Sequence, residues 1–297
     1  MPSPTSAFGR VASAMVTPMT ADGSLDLPAA QRLATRLADH GHDGLVVSGT
    51  TGEAPTTTDA EKAALIRAVV EAVGDRVRIT AGVGSNDTAH TLESARQAAA
   101  AGAHALLAVT PYYSRPPQAG VVAHFTALAD ATDLPVMLYD IPGRSGIPLA
   151  LETLLELAQH PRIQAVKDAK ADYWQASRVM AETDLLWFSG DDAVNLLHFA
   201  NGATGFVGVT SQVAPGPYAA MLAAVDAGDF AEARRLHRSL APLVDAVMNI
   251  TQGAIMAKAT LHTLGVLDTA YVRLPLVEAT PEQRRAVEKA LAEVGIA

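Results

Sequence analysis

Arg162-Ile163-Gln164-Ala165-Val166-Lys167-Asp168-Ala169 is a short, largely apolar stretch that delivers a basic side chain, Lys167, near its end. Runs of the same kind recur at 11–18, 44–50, 77–83, 105–111, 135–142, 185–190 and 205–210. Most are near-continuous rather than alternating, which is the pattern of strands covered on both faces by helices. Alanine- and leucine-rich amphipathic segments lie between them at 28–40, 59–73, 88–101, 119–131, 150–159, 173–182 and 192–201. Thr58-x-x-Glu61 has the form of a capping box, and Asp87-Thr88 supplies polar caps before another helix. Eight strand–helix units in about 200 residues favour an α/β architecture closed as a (β/α)8 TIM barrel over an open, doubly wound sheet. The barrel is expected over residues 8–212 and a C-terminal helical extension over 213–297, with helices near 218–227, 230–250, 254–264 and after Thr280-Pro281-Glu282.

The alternative architecture lacks its signature. Gly82-Val83-Gly84-Ser85-Asn86-Asp87 has the first two glycines of a dinucleotide-binding turn, but Asp87 stands at the third glycine position, and no ribose-binding acid follows clearly. No phosphate-binding loop of the Walker type is present either.

The 297 residues are 49% hydrophobic and 18% charged with a net charge of -9, the balance of a globular protein with a large core and an unfavourable one for nucleic acid or an anionic membrane. There is no cysteine, which removes disulfides, thiolate metal sites and a cysteine nucleophile and fits a reducing cytoplasm. Met1-Pro2-Ser3-Pro4-Thr5-Ser6 carries no basic leader, and the apolar run from Val11 to Val16 is better read as a strand than as part of a targeting segment. No run approaches a membrane span, so the expectation is a cytoplasmic protein.

In such a barrel chemistry collects at the C-terminal ends of the strands. Those ends carry Gly49-Thr50-Thr51-Gly52-Glu53, Thr110-Pro111-Tyr112-Tyr113, Tyr139-Asp140-Ile141-Pro142-Gly143-Arg144, Lys167-Asp168 and Ser189-Gly190-Asp191-Asp192. Each has an ordinary reading alone: a solvated strand-end lysine, a capping box at Thr50-x-x-Glu53, packing tyrosines, an exposed arginine. Lys170, the competing amine, is expected to face solvent, and Asp191-Asp192 to cap the next helix. Together the strand ends hold an amine, phenols, hydroxyls and a guanidinium. A desolvated lysine is part neutral and can capture a carbonyl as a Schiff base; a phenol linked to a hydroxyl relays protons; a guanidinium grips a carboxylate. That set describes an aldolase acting on a 2-oxo acid. His40-Gly41-His42 precedes the second strand, at the opposite end of the barrel, and the other histidines lack zinc-like spacing, so no metal site is expected.

The ordered set Val16-Thr17-Pro18, Gly49-Thr50-Thr51-Gly52-Glu53, Thr110-Pro111-Tyr112-Tyr113-Ser114-Arg115-Pro116, Leu138-Tyr139-Asp140-Ile141-Pro142-Gly143-Arg144-Ser145-Gly146, Val166-Lys167-Asp168-Ala169 and Ser189-Gly190-Asp191-Asp192 resembles the 4-hydroxy-tetrahydrodipicolinate synthase (dihydrodipicolinate synthase) family of pyruvate-dependent class I aldolases. The resemblance runs from Phe8 to the C-terminal helices. It implies a lyase in which Lys167 forms a Schiff base with pyruvate, Tyr139 is the general acid/base, and Thr50 relays protons to Tyr113 from a neighbouring subunit. Thr51, Gly190 and the backbone near Val207 would line the pyruvate pocket, and Arg144 would bind the carboxylate of L-aspartate 4-semialdehyde. The implied product is (4S)-4-hydroxy-2,3,4,5-tetrahydrodipicolinate, at the first committed step of diaminopimelate and lysine biosynthesis. A homotetramer built from tight dimers and no cofactor beyond the lysine are implied as well.

One departure bears on regulation. In lysine-inhibited members of the family the effector cleft uses a histidine, an acidic residue, an asparagine and a tyrosine. Asn86 and Tyr112 match that pattern, whereas His90 stands at the acidic position and Asp59 and Lys62 at the histidine positions. Exchanging the carboxylate for a histidine and adding a cation removes charge pairing with the effector's ammonium, so weak or absent feedback is expected. Two other readings remain open from the residues: a related aldolase acting on a 2-keto-3-deoxy sugar acid or sialic acid, and a non-catalytic oxo-acid-binding paralogue.

Overall fold

In the computed structural model, which describes residues 6–296, the apolar runs become strands of four to six residues. They are β1 (Val11–Ala14), β2 (Gly44–Val47), β3 (Arg78–Gly82), β4 (Ala105–Val109), β5 (Val136–Asp140), β6 (Ile163–Asp168), β7 (Leu186–Ser189) and β8 (Gly205–Gly208). All pair in parallel and in chain order, and β8 pairs back onto β1 to close the barrel. Met1–Thr5, most of the stretch read as lacking a leader, lie outside the described residues.

The outer layer consists of α1 (Leu27–Asp39), α2 (Asp59–Val73), α3 (Thr88–Ala100), α4 (Gln118–Asp130), the single turn α5 (Pro142–Ser145), α6 (Leu151–Leu157), α7 (Tyr173–Glu182) and α8 (Asn195–Ala200). The expected caps are present. Thr58 and Glu61 form a complete capping box on α2, and Asp87 accepts from the amide of Ala89 at the start of α3. Register fixes the height of the site: Lys167 on β6 lies opposite Tyr139 on β5 and Phe188 on β7. Both prospective reacting side chains therefore sit at the same level, at the C-terminal end of adjacent strands.

After β8, α9 (Pro215–Asp226) packs against β1 as well as against α10 (Phe230–Ser239), so this helix belongs as much to the barrel's outer ring as to the extension expected from 213. The single helix expected over 230–250 is instead α10, the turn α11 (Ala241–Val244) and a π-helical turn at Asp245–Asn249. Pro242 explains the break, because it has no N–H to continue the α10 ladder. Next comes α12 (Gly253–Thr263), in which every residue from Gly253 to Leu261 is buried, Lys258 included; α13 (Pro281–Val294) packs on it. Among the described residues no helix is long and apolar enough to cross a membrane.

Candidate active site

Lys167 projects from the last turn-proximal pair of β6 and is only 4% exposed. Its Nζ stands 4.3 Å from the centroid of the Tyr139 ring. Burial pulls its ammonium down from 10.5 to about 8; the charge of Asp192 opposes that fall and Arg144 adds to it. About a tenth of the amine is therefore neutral at pH 7. Tyr139 is buried too, and desolvation pushes its phenol up to about 12, with Arg144 and the neighbouring Thr50 hydroxyl pulling the other way. The phenol is neutral at working pH, and it can donate a proton to a developing alkoxide or hydroxyl without first being charged.

Thr50 arrives on the turn after β2. The amide of Glu53 donates to the Thr50 carbonyl at 3.1 Å and that of Ala54 to the Gly49 carbonyl at 3.2 Å, which folds the turn over the barrel mouth. Thr51 is buried beside it. Arg144 sits on α5, whose end is set by Gly146 in the left-handed region (φ 86°). A Cβ at Gly146 would also lie 2.9 Å from Arg115 Nε. The Arg144 guanidinium lines a cavity of about 590 Å³ together with Thr50, Tyr139 and Tyr112, and no ion pair or hydrogen bond holds it among the described residues. A cation left free at the edge of a largely apolar cavity is suited to an anionic substrate group.

Other expected site residues take the following places. Gly190 lies beside the lysine stem, where an added Cβ would come 3.0 Å from Lys167 Cγ, so glycine keeps that side of the amine open. Val207 is buried in β8. Tyr113 is not brought to the cavity of its own chain: it is 89% exposed and held at φ 72°, while its neighbour Tyr112 turns into the lining. Of the residues expected in an effector cleft, Asp59, Lys62, His90 and Tyr112 line the same cavity, and Asn86 is exposed and outside the lining. Asp59 Oδ1 lies 3.5 Å from both Lys62 Nζ and His90 Nε2.

Three readings from the sequence are corrected. Lys170 does not face solvent: its Nζ lies 2.9 Å from Asp140 Oδ2 and donates to the Leu149 carbonyl at 3.0 Å, because the buried Asp140 carboxylate needs a counter-charge. Its amine is thus occupied, leaving Lys167 as the free one. Of the acidic pair after β7, Asp191 caps the turn through Ala193 N, whereas Asp192 is buried and accepts from Val209 N, Thr210 N and Thr210 Oγ1, each at 2.8 Å. There its charge faces Lys167. Glu53 is no cap; it is buried against Lys258. Nothing local in the sequence marks Asp192 or Lys258, since their burial depends on partners brought in by the fold.

The histidine pair serves structural bonds. His40 Nδ1 donates to the Arg36 carbonyl at 2.7 Å, and His42 Nε2 is 2.8 Å from Ser13 Oγ, with burial holding its imidazole down at about 3. Among the described residues no group of three or more His, Cys, Asp or Glu side chains converges as a metal site would require.

Residues 7–294 match the model of the dihydrodipicolinate synthetase family. A curated protein of Kineococcus radiotolerans, named 4-hydroxy-tetrahydrodipicolinate synthase, is 60% identical over 290 residues, covering 98% of this chain and 94% of its own. A lysine-bound dihydrodipicolinate synthase from Cyanidioschyzon merolae superposes with a TM-score of 0.95 at 39% identity, covering 98% of this chain and 99% of that one. The enzyme from Acinetobacter baumannii, described as chloride-inhibited and complexed with pyruvate, gives 0.94 at 34% identity, covering 98% and 100%.

Proposed function

The chain belongs to the dihydrodipicolinate synthetase family, and we propose that it condenses pyruvate with L-aspartate 4-semialdehyde to (4S)-4-hydroxy-2,3,4,5-tetrahydrodipicolinate, with Lys167 as the Schiff-base residue. The observation that carries this reading is the buried, part-neutral Lys167 amine 4.3 Å from the Tyr139 ring. The neutral amine adds to the pyruvate C2 carbonyl, and Tyr139 delivers a proton to the oxygen, which leaves as water to give the imine. Loss of a proton from the pyruvate methyl carbon turns the imine into an enamine. That carbon attacks the aldehyde of the semialdehyde, whose oxygen takes a proton. The semialdehyde's own amine then attacks C2, closes the ring and releases Lys167. No further cofactor enters this sequence.

Thr50 links Tyr139 to the next member of the relay, and Tyr113 of a second copy is that member. Its exposure and its left-handed backbone, costly for a tyrosine unless something uses it, support this role. The active form is accordingly at least a dimer, and the family likeness supports a homotetramer of tight dimers in the cytoplasm, with Thr51, Gly190 and Val207 around pyruvate.

Arg144 is the carboxylate grip for the semialdehyde. Arg144→Ala is expected to raise the KM for the semialdehyde roughly ten- to hundredfold, the worth of about 1.5–3 kcal/mol for a charge-assisted hydrogen bond. Borohydride trapping of pyruvate on Lys167 should stay near that of the parent. An unchanged KM in steady-state kinetics contradicts the assignment. The activity itself is tested by a coupled assay that offers aspartate semialdehyde beside 2-keto-3-deoxy sugar acids and sialic acid; turnover confined to the sugar acids overturns the reading.

Feedback by L-lysine is weak or absent. The one carboxylate in the cleft, Asp59, already faces Lys62 and His90, and a lysine ammonium would meet a cation where it needs an anion. Steady-state rates are expected to hold in the presence of millimolar lysine; micromolar inhibition contradicts this.

A further inference from the structure

The turn that carries Thr50 and Thr51 is held from beneath by the C-terminal extension. Glu53 ends this turn with its side chain fully buried and its backbone in the left-handed region, φ 56° and ψ 39°. A non-glycine residue stays there only when its surroundings over-determine it. Here the carboxylate is gripped twice by the extension: Lys258 Nζ donates to Oε1 at 2.5 Å and the amide of Arg273 to Oε2 at 2.9 Å. Lys258 is 1% exposed and also donates to the Tyr271 carbonyl at 2.7 Å. Arg273 extends the grip, reaching the Thr56 carbonyl at 2.8 Å and pairing with Glu61. On the other side the Glu53 amide donates to the Thr50 carbonyl, while Thr17 Oγ1 holds the Gly52 carbonyl at 2.6 Å.

A buried ion pair is a poor device for stability alone, since well-packed apolar residues of like volume often serve as well or better. Its distinctive property is orientation. Two independent donors on the two oxygens fix the plane of the carboxylate, and through it the one backbone amide that holds Thr50. We propose that Glu53 and Lys258 are positioning residues for the reaction, and that their ion pair sets the Thr50 hydroxyl against the Tyr139 phenol. The role rests on the reading of Lys167 and Tyr139 given above, and it makes a helix 205 residues away in sequence a requirement for turnover.

The test compares Glu53→Gln, Lys258→Met and the double variant, with active sites counted by borohydride trapping of pyruvate on Lys167 and kcat expressed per trapped site. Glu53→Gln and Lys258→Met each lower kcat per site by about tenfold or more, within the hundredfold that a misplacement of one ångström can cause. The KM for pyruvate moves less than kcat, because Lys167, Gly190 and Val207 are held on or beside other strands and only Thr51 rides on this turn. Each single variant also leaves one charge buried and lowers the melting temperature. The double variant, with no charge left unpaired, recovers the melting temperature while kcat per site stays low. A purely structural pair would instead leave kcat per trapped site at the parent value in every variant that folds, and that result in the double variant overturns the proposal even where a single variant does not fold. Absence of trapping in the parent protein would overturn the Lys167 reading, and the positioning role with it.

Discussion

Lys167→Met abolishes turnover and makes the protein more stable. The loss of rate is expected to reach at least about a thousandfold, or 4 kcal/mol of activation free energy, because the other amine lining the cavity, Lys62, is held by the Thr57 carbonyl and Asp59. The gain in stability follows from the environment that makes the lysine reactive. Its ammonium falls from 10.5 to about 8, chiefly through burial, which corresponds to a net penalty on the charged form of about 3 kcal/mol in the folded protein at neutral pH. Methionine is of similar length, unbranched and apolar, and carries none of that cost. The unfolded chain binds the proton more tightly than the folded one, so the penalty is fully present below pH 8 and fades as the pH rises from 8 to 10.5. The methionine variant should therefore exceed the parent most at pH 7 and least near pH 10. At neutral pH a rise in melting temperature of several degrees is expected, at about 2–4 °C per kcal/mol for a chain of this size. Thermal scans of both proteins at the two pH values check it; a methionine variant less stable at pH 7 contradicts the buried, desolvated lysine.

Tyr139→Phe is the second large effect, and it separates chemistry from architecture. The ring packs in the barrel beneath Lys167, and phenylalanine preserves that packing, so the fold should change little. What disappears is the proton that leaves with the carbinolamine oxygen and returns at the later steps. The expected fall in kcat is about 10²–10⁴, the span of general acid–base assistance by one positioned group. Lys167 remains, so pyruvate should still be trapped, only more slowly. A variant with near-parental kcat would remove Tyr139 from the mechanism.

The barrel was legible because its strands are buried on both faces and so read as plain apolar runs, with Tyr139 and Lys167 the next-to-last residues of theirs. The same placement singles out Lys167, Tyr139 and Thr50 as candidates, with no family likeness needed. Charges buried by long-range partners were not legible. Lys258 lies on a helix that reads as apolar, and its carboxylate partner is on the second barrel turn. Glu53 has the spacing of a capping acid, yet the left-handed turn sends it inward instead of back to Thr50. Lys170 follows Lys167 so closely that only the structure shows which amine Asp140 claims. The break of the helix expected over 230–250 was, by contrast, written in Pro242.

Reduction of the protein with borohydride in the presence of pyruvate, followed by peptide mass mapping, tests the central claim most directly. The account predicts a single pyruvyl adduct, on Lys167, whose initial rate of formation rises with pH through a midpoint near 8. An adduct on Lys170 or Lys258, or no adduct at all, would contradict it.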